Sequence, residues 1–78
     1  MNTNLKTGKY KHSKSGKEYE VIGVAHHSEN LSELVVYRAL YESEEFGPNA
    51  LWVRPVVIFT EIVDINGEEK PRFEYVGE

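Results

Sequence analysis

Asn66-Gly67 stands between two runs of β-forming residues, 62–65 and 68–75, and no other dipeptide in the chain constrains the fold as tightly. A two-residue connection that follows the right-handed twist of its strands needs positive φ at both positions. Asn and Gly tolerate this, so the pair predicts a type I′ hairpin. Pro71 cannot donate to a ladder and must then lie on an edge or at a bulge. The rest of the chain follows the same pattern, with short runs broken by turn formers and no long apolar stripe of helical period.

In residues 8–12, Tyr10 and His12 alternate with Lys9 and Lys11, and residues 13–16 supply a turn. Residues 17–25 form the second strand, with Tyr19, Val21, Gly23 and Ala25 on one face and Ile22 and Val24 on the other. A two-residue turn at Ser15-Gly16 pairs His12 with Tyr19, whereas a four-residue loop over 13–16 pairs Tyr10 with Tyr19. Both registers leave Tyr10, His12, Tyr19 and Val21 on one face. Gly23 marks a bulge, a bend or a close backbone approach. Residues 33–41 are largely apolar on both faces and predict the most enclosed strand. An acidic loop follows at 42–49, then a short strand at 50–54 that Pro55 ends or redirects. Residues 55–59 read as one short helical turn, because Pro suits its first position and Val56 and Phe59 share helical spacing. A strand resumes near Glu61. Five or six short antiparallel strands predict an all-β domain: a small SH3-like barrel, with an OB-type barrel as the nearest alternative. Residues 1–7 are expected to be flexible and 8–78 to form a single domain.

At 78 residues, such a domain buries only about 60 to 65% of the surface its unfolded chain exposes. Its core must be small and rich in large rings, which five Tyr, three Phe and one Trp can supply. With no Cys, disulfide staples, thiolate metal sites and thiol nucleophiles are excluded. No run reaches the length of a membrane span, and the N-terminus has no signal-peptide core, so the expected location is the cytoplasm, away from any membrane.

Charge is unevenly placed. Residues 1–17 carry five lysines and no acid, against four basic and thirteen acidic groups in 18–78, so the net charge of −4 conceals a dipole. Lys9, Lys11, Lys14 and Lys17, interleaved with Tyr10, His12 and Tyr19, could join phosphate-seeking ammonium groups to rings that stack on bases. The competing structural reading puts the tyrosines in the core and uses the lysines to keep an edge strand soluble. Arg38, Arg54 and Arg72 lie in strands otherwise made of core residues. Each must stack on a ring, pair with a carboxylate or face an anionic ligand. An exposed Trp52 beside Arg54 would suit a peptide groove.

Catalytic patterns are missing. His26 and His27 are adjacent and would point to opposite faces of a strand, so no metal site and no cofactor is expected. No serine lies in a nucleophile turn, and Glu44-Glu45 and Glu68-Glu69 read as solvated acids flanking turns.

Several motifs occur together in order: Gly8-Lys-Tyr10-Lys-His12, Tyr19-x-Val-Ile-Gly23, Val35-Val-Tyr37-Arg38, Trp52-Val-Arg54-Pro55 and Pro71-Arg72-Phe73. Over about residues 8–75 the chain resembles the small bacterial family catalogued as domain of unknown function 1653. The resemblance implies a common fold and carries no activity.

The expected function is a non-enzymatic binding module that presents Tyr10, His12, Lys14, Tyr19, Arg38, Trp52, Arg54 and Arg72 to an anionic or peptide partner, with single-stranded RNA as the nucleic-acid version. The alternative is a small enzyme or accessory domain in which His12, Arg54 and Arg72 converge on a phosphate or carboxylate. A third reading uses an exposed aromatic edge as a homodimer interface.

Overall fold

The computed structural model describes residues 5–77. Nine strands and one helical turn follow in order: β1 (Gly8–His12), β2 (Glu18–His26), β3 (Glu33–Ala39), β4 (Glu42–Ser43), β5 (Gly47–Pro48), β6 (Leu51–Pro55), α1 (Val56–Phe59), β7 (Ile62–Ile65), β8 (Glu68–Pro71) and β9 (Phe73–Gly77). The fold is all-β. Its main sheet has the order β6-β3-β2-β1-β9, and every ladder in it is antiparallel. Two small hairpins, β4-β5 and β7-β8, complete the structure.

The first hairpin takes the longer of the two possible loops: Tyr10 pairs with Tyr19 and Lys11 with Glu18. The His12 N–H donates to the Lys17 carbonyl at 2.8 Å and the Gly16 N–H to the His12 carbonyl at 2.7 Å, which closes the turn. β1 is an interior strand, because β9 returns to cover its other side. Its lysines therefore do not guard an edge. They stand opposite acids instead, Lys9 against Glu20 and Lys11 against both Glu18 and Glu74. Opposite charges placed directly across a ladder are favourable by some tenths of a kcal/mol, about 0.2 to 1.

Between Val21 and Gly23 the β2-β3 register slips by one residue. The bulge exchanges the faces of everything beyond it. Val24 now lies opposite buried Val35, and Ala25 turns outward. A strict alternation through Gly23 and Ala25 therefore holds only as far as Val21, and a bulge bends the strand where it occurs. No ladder joins β6 to β9, so the expected barrel does not close through hydrogen bonds. The two edges meet through side chains: the Arg54 guanidinium on β6 lies 5.3 Å from the centre of the Phe73 ring on β9.

Tyr10, Val21, Val35, Tyr37, Phe59 and Phe73 form the buried cluster, with Leu5, Tyr19, Val56 and Tyr75 packed on its margin. α1 exists to deliver one ring. Pro55 fixes the entry at φ −54° and ψ 139°, and Thr60 closes the turn through its N–H and hydroxyl to the Val56 carbonyl. Phe59 then stacks on Phe73 at 4.1 Å with the ring planes 3° apart.

The β7-β8 turn has Asn66 at φ 55° and Gly67 at φ 84°, and the Asp64 carboxylate accepts the Gly67 N–H at 2.8 Å. Pro71 ends β8 on the outer edge of that hairpin, opposite Ile62. The run 68–75 does not continue as one strand. Arg72 interrupts it, donating its N–H to the Glu61 carbonyl and accepting the Ser13 N–H at its own carbonyl, and β9 departs to pair with β1.

Of the N-terminal segment, residues 1–4 lie outside the described residues, while the Lys6 carbonyl accepts the buried Tyr10 hydroxyl at 2.7 Å. Among the described residues no helix is long and apolar enough to cross a membrane.

A core this small leaves little margin. Phe59→Ala should cost about 3 to 5 kcal/mol, comparable to the whole stability of about 3 to 5 kcal/mol that one small core supplies. Urea unfolding at 25 °C should find the variant largely unfolded in buffer. Val57→Ala, at a side chain 77% exposed, should stay within about 0.5 kcal/mol of wild type.

Candidate functional site

Parity along each strand decides which side chains share the inner face. The ladders place Tyr10 opposite Tyr19 and Tyr75, His12 opposite Phe73, Tyr37 opposite Trp52, and Val35 opposite Arg54. Tyr10, Tyr37 and Phe73 fill the centre of this face and are buried, while His12, Tyr19, Trp52 and Arg54 ring its mouth.

Phe73 organises that mouth. Phe59 stacks on it from the core, leaving its opposite face for Arg54. The His12 ring meets it edge-on at 4.8 Å, and Tyr19 and Tyr37 do so at 5.6 and 5.5 Å. Arg72, the next residue in sequence, belongs to the same end. A guanidinium on an aromatic face gains about 0.5 to 2 kcal/mol, more as it is desolvated. Stacking fixes the plane of Arg54 and leaves its edge for hydrogen bonds, one of which engages the Tyr37 hydroxyl.

His12 has a defined protonation pattern. The Ser15 N–H, which can only donate, reaches His12 Nδ1 at 3.2 Å, and the Ser15 hydroxyl lies 3.0 Å from the same atom. Nδ1 therefore keeps its lone pair, and the neutral ring carries its proton on Nε2. Burial lowers the His12 pKa first, and the positive charges of Arg54, Arg72 and Lys14 lower it further.

Positive charge thus converges here in an acidic protein. Arg72 binds Glu61 at 2.7 Å, yet its buried Nε has no hydrogen-bond partner. Among the described residues no ion pair involves Arg54, His12 or Lys14. A cleft of about 460 Å³ opens alongside, lined by His12, Lys14 and Arg72 on one side and by Val63, Asp64, Ile65 and Asn66 of the β7-β8 hairpin on the other.

The tyrosines around Arg54 stay protonated. Burial raises the Tyr37 pKa, and the Arg54 charge, acting at hydrogen-bonding range, opposes that rise. Tyr19 is raised by burial and then by its 2.8 Å hydroxyl contact with Tyr41, again with Arg54 in opposition. The Lys17 ammonium sits 4.5 Å from the Tyr41 ring centre.

Of the residues singled out from sequence, His12, Lys14, Arg54 and Arg72 come together, with Tyr19 and Trp52 on the same rim. Tyr10 does not join them. It is 5% exposed and serves the core. Arg38 lies on the outer face, where it pairs with Glu20 at 3.2 Å. In the sequence Ser15 and Asn66 read as turn residues, Tyr41 as a strand residue and Phe73 as the neighbour of Arg72; their places around the mouth follow only from long-range pairing. No group of three His, Asp or Glu side chains among the described residues is arranged to hold a metal ion.

The profile of a family described as a protein of unknown function, DUF1653, matches residues 8–75. The chain belongs to this family. A crystal structure of a DUF1653 protein from Bordetella bronchiseptica is similar over 95% of this chain and 90% of that one, with 32% sequence identity and a TM-score of 0.84. None of the curated proteins matches the chain. The DUF1653 segment begins at the first residue of β1 and ends within β9, so it contains every residue of the cationic mouth.

His12 should titrate below the 6.5 of an unperturbed imidazole, as followed by its ring resonances in NMR. Because the unfolded chain takes up this proton first, stability should fall as pH drops from 6.5 toward the lower folded value. His12→Gln should flatten that part of the stability profile in urea unfolding.

Proposed function

We propose that this DUF1653 protein is a non-enzymatic binding module that takes a ligand through a phosphate or carboxylate group, held by Arg54, Arg72, Lys14 and the Nε2–H of His12. One observation carries the reading. Arg54 is a half-buried guanidinium seated on Phe73, with no ion pair among the described residues, in the field of further cations. Like charges gathered in this way oppose one another, and an anion relieves the repulsion while accepting from donors already oriented.

Several features favour binding over catalysis. The only basic lone pair of His12 is engaged by the Ser15 turn, so the imidazole is poised to donate. Asp64 is committed to the Gly67 N–H, and Glu61 to Arg72. The donors outnumber the acceptors, which suits a ligand that brings its own negative charge.

A discrete anionic group fits better than a nucleic-acid strand. Tyr10 is buried and unavailable for stacking, and Lys9 and Lys11 face the other way, opposite acids. A small ligand or an acidic peptide needs only the mouth and the adjoining cleft.

Titration of the isotope-labelled protein with inorganic phosphate and with citrate tests this reading. The expected result is saturable shifts at His12, Arg54 and Arg72, with affinity falling as salt rises. A charge-assisted hydrogen bond contributes about 1.5 to 3 kcal/mol, so Arg54→Gln should weaken binding at least about tenfold. Absence of shifts at millimolar anion, or equal affinity in R54Q, would rule the site out.

A further inference from the structure

We propose that a second copy of this chain adds to the free edge of β6, so that two main sheets join across a two-fold axis and Trp52 of each copy lies beside Arg54 of the other. The inference goes beyond the anion-site reading and rests on it only for what Arg54 does.

Backbone direction along β6 is fixed by its ladder. The Ala39 N–H donates to the Ala50 carbonyl at 2.8 Å, so Ala50, and by alternation Trp52 and Arg54, turn their peptide groups toward β3. Leu51, Val53 and Pro55 turn theirs outward. Among the described residues nothing pairs with that side of β6. Pro55 sits where its missing N–H costs the sheet nothing, the position in which a strand proline is tolerated.

Apart from Pro55 at its end, the exposed edge carries none of the usual guards. It has no lysine and no bulge, and its outer-face side chains Leu51 and Val53 are 65% and 59% exposed. Such an edge is a template for another strand.

The order Leu51-Trp52-Val53-Arg54-Pro55 is self-complementary when read against itself in the antiparallel sense about Val53. Val53 then exchanges two hydrogen bonds with its counterpart, and each Leu51 N–H donates to the other copy's Pro55 carbonyl. The proline ring needs no acceptor. On the outer face, Val53 meets Val53 and Leu51 meets Pro55. On the inner face, Trp52 meets Arg54 twice, as non-hydrogen-bonded pairs whose side chains approach most closely. Cation and ring complement one another there; Trp52 packs against Phe46 at 5.2 Å and keeps 37% of its surface exposed. The acidic residues Glu42, Glu44 and Glu45 precede Leu51, while the opposite end of the strand runs into Val56, Val57 and Ile58. An antiparallel pairing therefore sets each acidic loop toward the partner's apolar turn rather than toward its like. A peptide strand of another protein could form the same backbone bonds. The reciprocal match of Trp52 with Arg54 favours the second copy.

Sedimentation equilibrium of the full chain over rising concentration, with emission of its one tryptophan followed in parallel, tests the pairing. The expected result is a monomer–dimer equilibrium with a blue shift as the dimer forms. Val53→Pro removes the outward N–H and leaves the β3 ladder intact; it should be monomeric at every concentration, with an unchanged far-ultraviolet spectrum. Val53→Lys, which sets two ammonium groups face to face, gives the same answer if the proline variant folds poorly. Val76→Asp on β9 should still dimerise. A wild-type chain that stays monomeric at millimolar concentration, or a folded V53K variant that dimerises like wild type, overturns the proposal. Inorganic phosphate titration of the same samples keeps the two readings apart. A monomer that binds phosphate defeats the dimer alone, and a dimer that ignores phosphate defeats the anion site alone.

Discussion

Phe73 is the ring on which the two edges of the sheet depend. β6 and β9 share no ladder, so without a side-chain contact the curved sheet would lie open at its mouth. Phe59 holds one face of the ring from α1, Arg54 covers the other from β6, and His12, Tyr19 and Tyr37 meet its rim. Each aromatic pair adds about 0.5 to 1.5 kcal/mol beyond the area it buries. In a chain with no disulfide, that cluster replaces both the missing ladder and the missing staple. His12 links this cluster to the neighbouring cleft, since its ring packs against Phe73 and also lines the cleft with Lys14 and Arg72.

The sheet sorts its charges by face. Outside, Glu74, Lys11, Glu18, Lys9, Glu20 and Arg38 follow one another across β9, β1, β2 and β3, and opposite signs stand side by side. Inside, at the mouth, the sorting is one-sided: two guanidiniums, an ammonium and an imidazole with its basic nitrogen occupied. A chain with thirteen acids to nine strong bases had carboxylates enough to neutralise this end. Among the described residues Glu61 pairs with Arg72, while Asp64 on the far wall of the cleft accepts the Gly67 N–H instead. Opposite charges are matched across the outer face, and the proposed anion site rests on their incomplete matching at the mouth.

How far the sequence could be read depends on whether the signal is local. Asn66-Gly67, Pro55 and the alternation in each strand act within a few residues, and the hairpin, the helical turn and the all-β fold follow from them. Arg38 and Arg54 illustrate what does not. Both sit among core residues, and parity separates Arg38 from Tyr37, yet only the inter-strand register shows that Arg54 shares the face of Val35 while Arg38 takes the other. Partnering of β1 with β9 joins residues some sixty positions apart, so nothing near Lys9 or Lys11 reveals an interior strand. At Gly23 the sequence marked an irregularity but not its effect: the bulge moves Val24 inward, and a one-residue slip exchanges faces completely. Arg72 is similar, since a run of strand-forming residues conceals the point where one ladder is left for another.

The site draws on strands that differ in how firmly they are held. His12 stands on β1, bonded along both edges, whereas Arg54 and Phe73 stand on β6 and β9, the two terminal strands of the sheet, each bonded along one edge only. Opening energies in a fold fall toward strands with fewer partners. Arg54 is thus the member of the cationic set whose position depends most on side-chain contact: its seat on Phe73 fixes the guanidinium while β6 itself keeps one side unpaired. Anything that orders β6, whether an anion drawing Arg54 toward Arg72 or a strand added along its open side, acts on the same five residues. The two proposed roles, recognition at the mouth and association at the edge, would be coupled through one short strand, its inward side chains serving the first and its outward peptide groups the second.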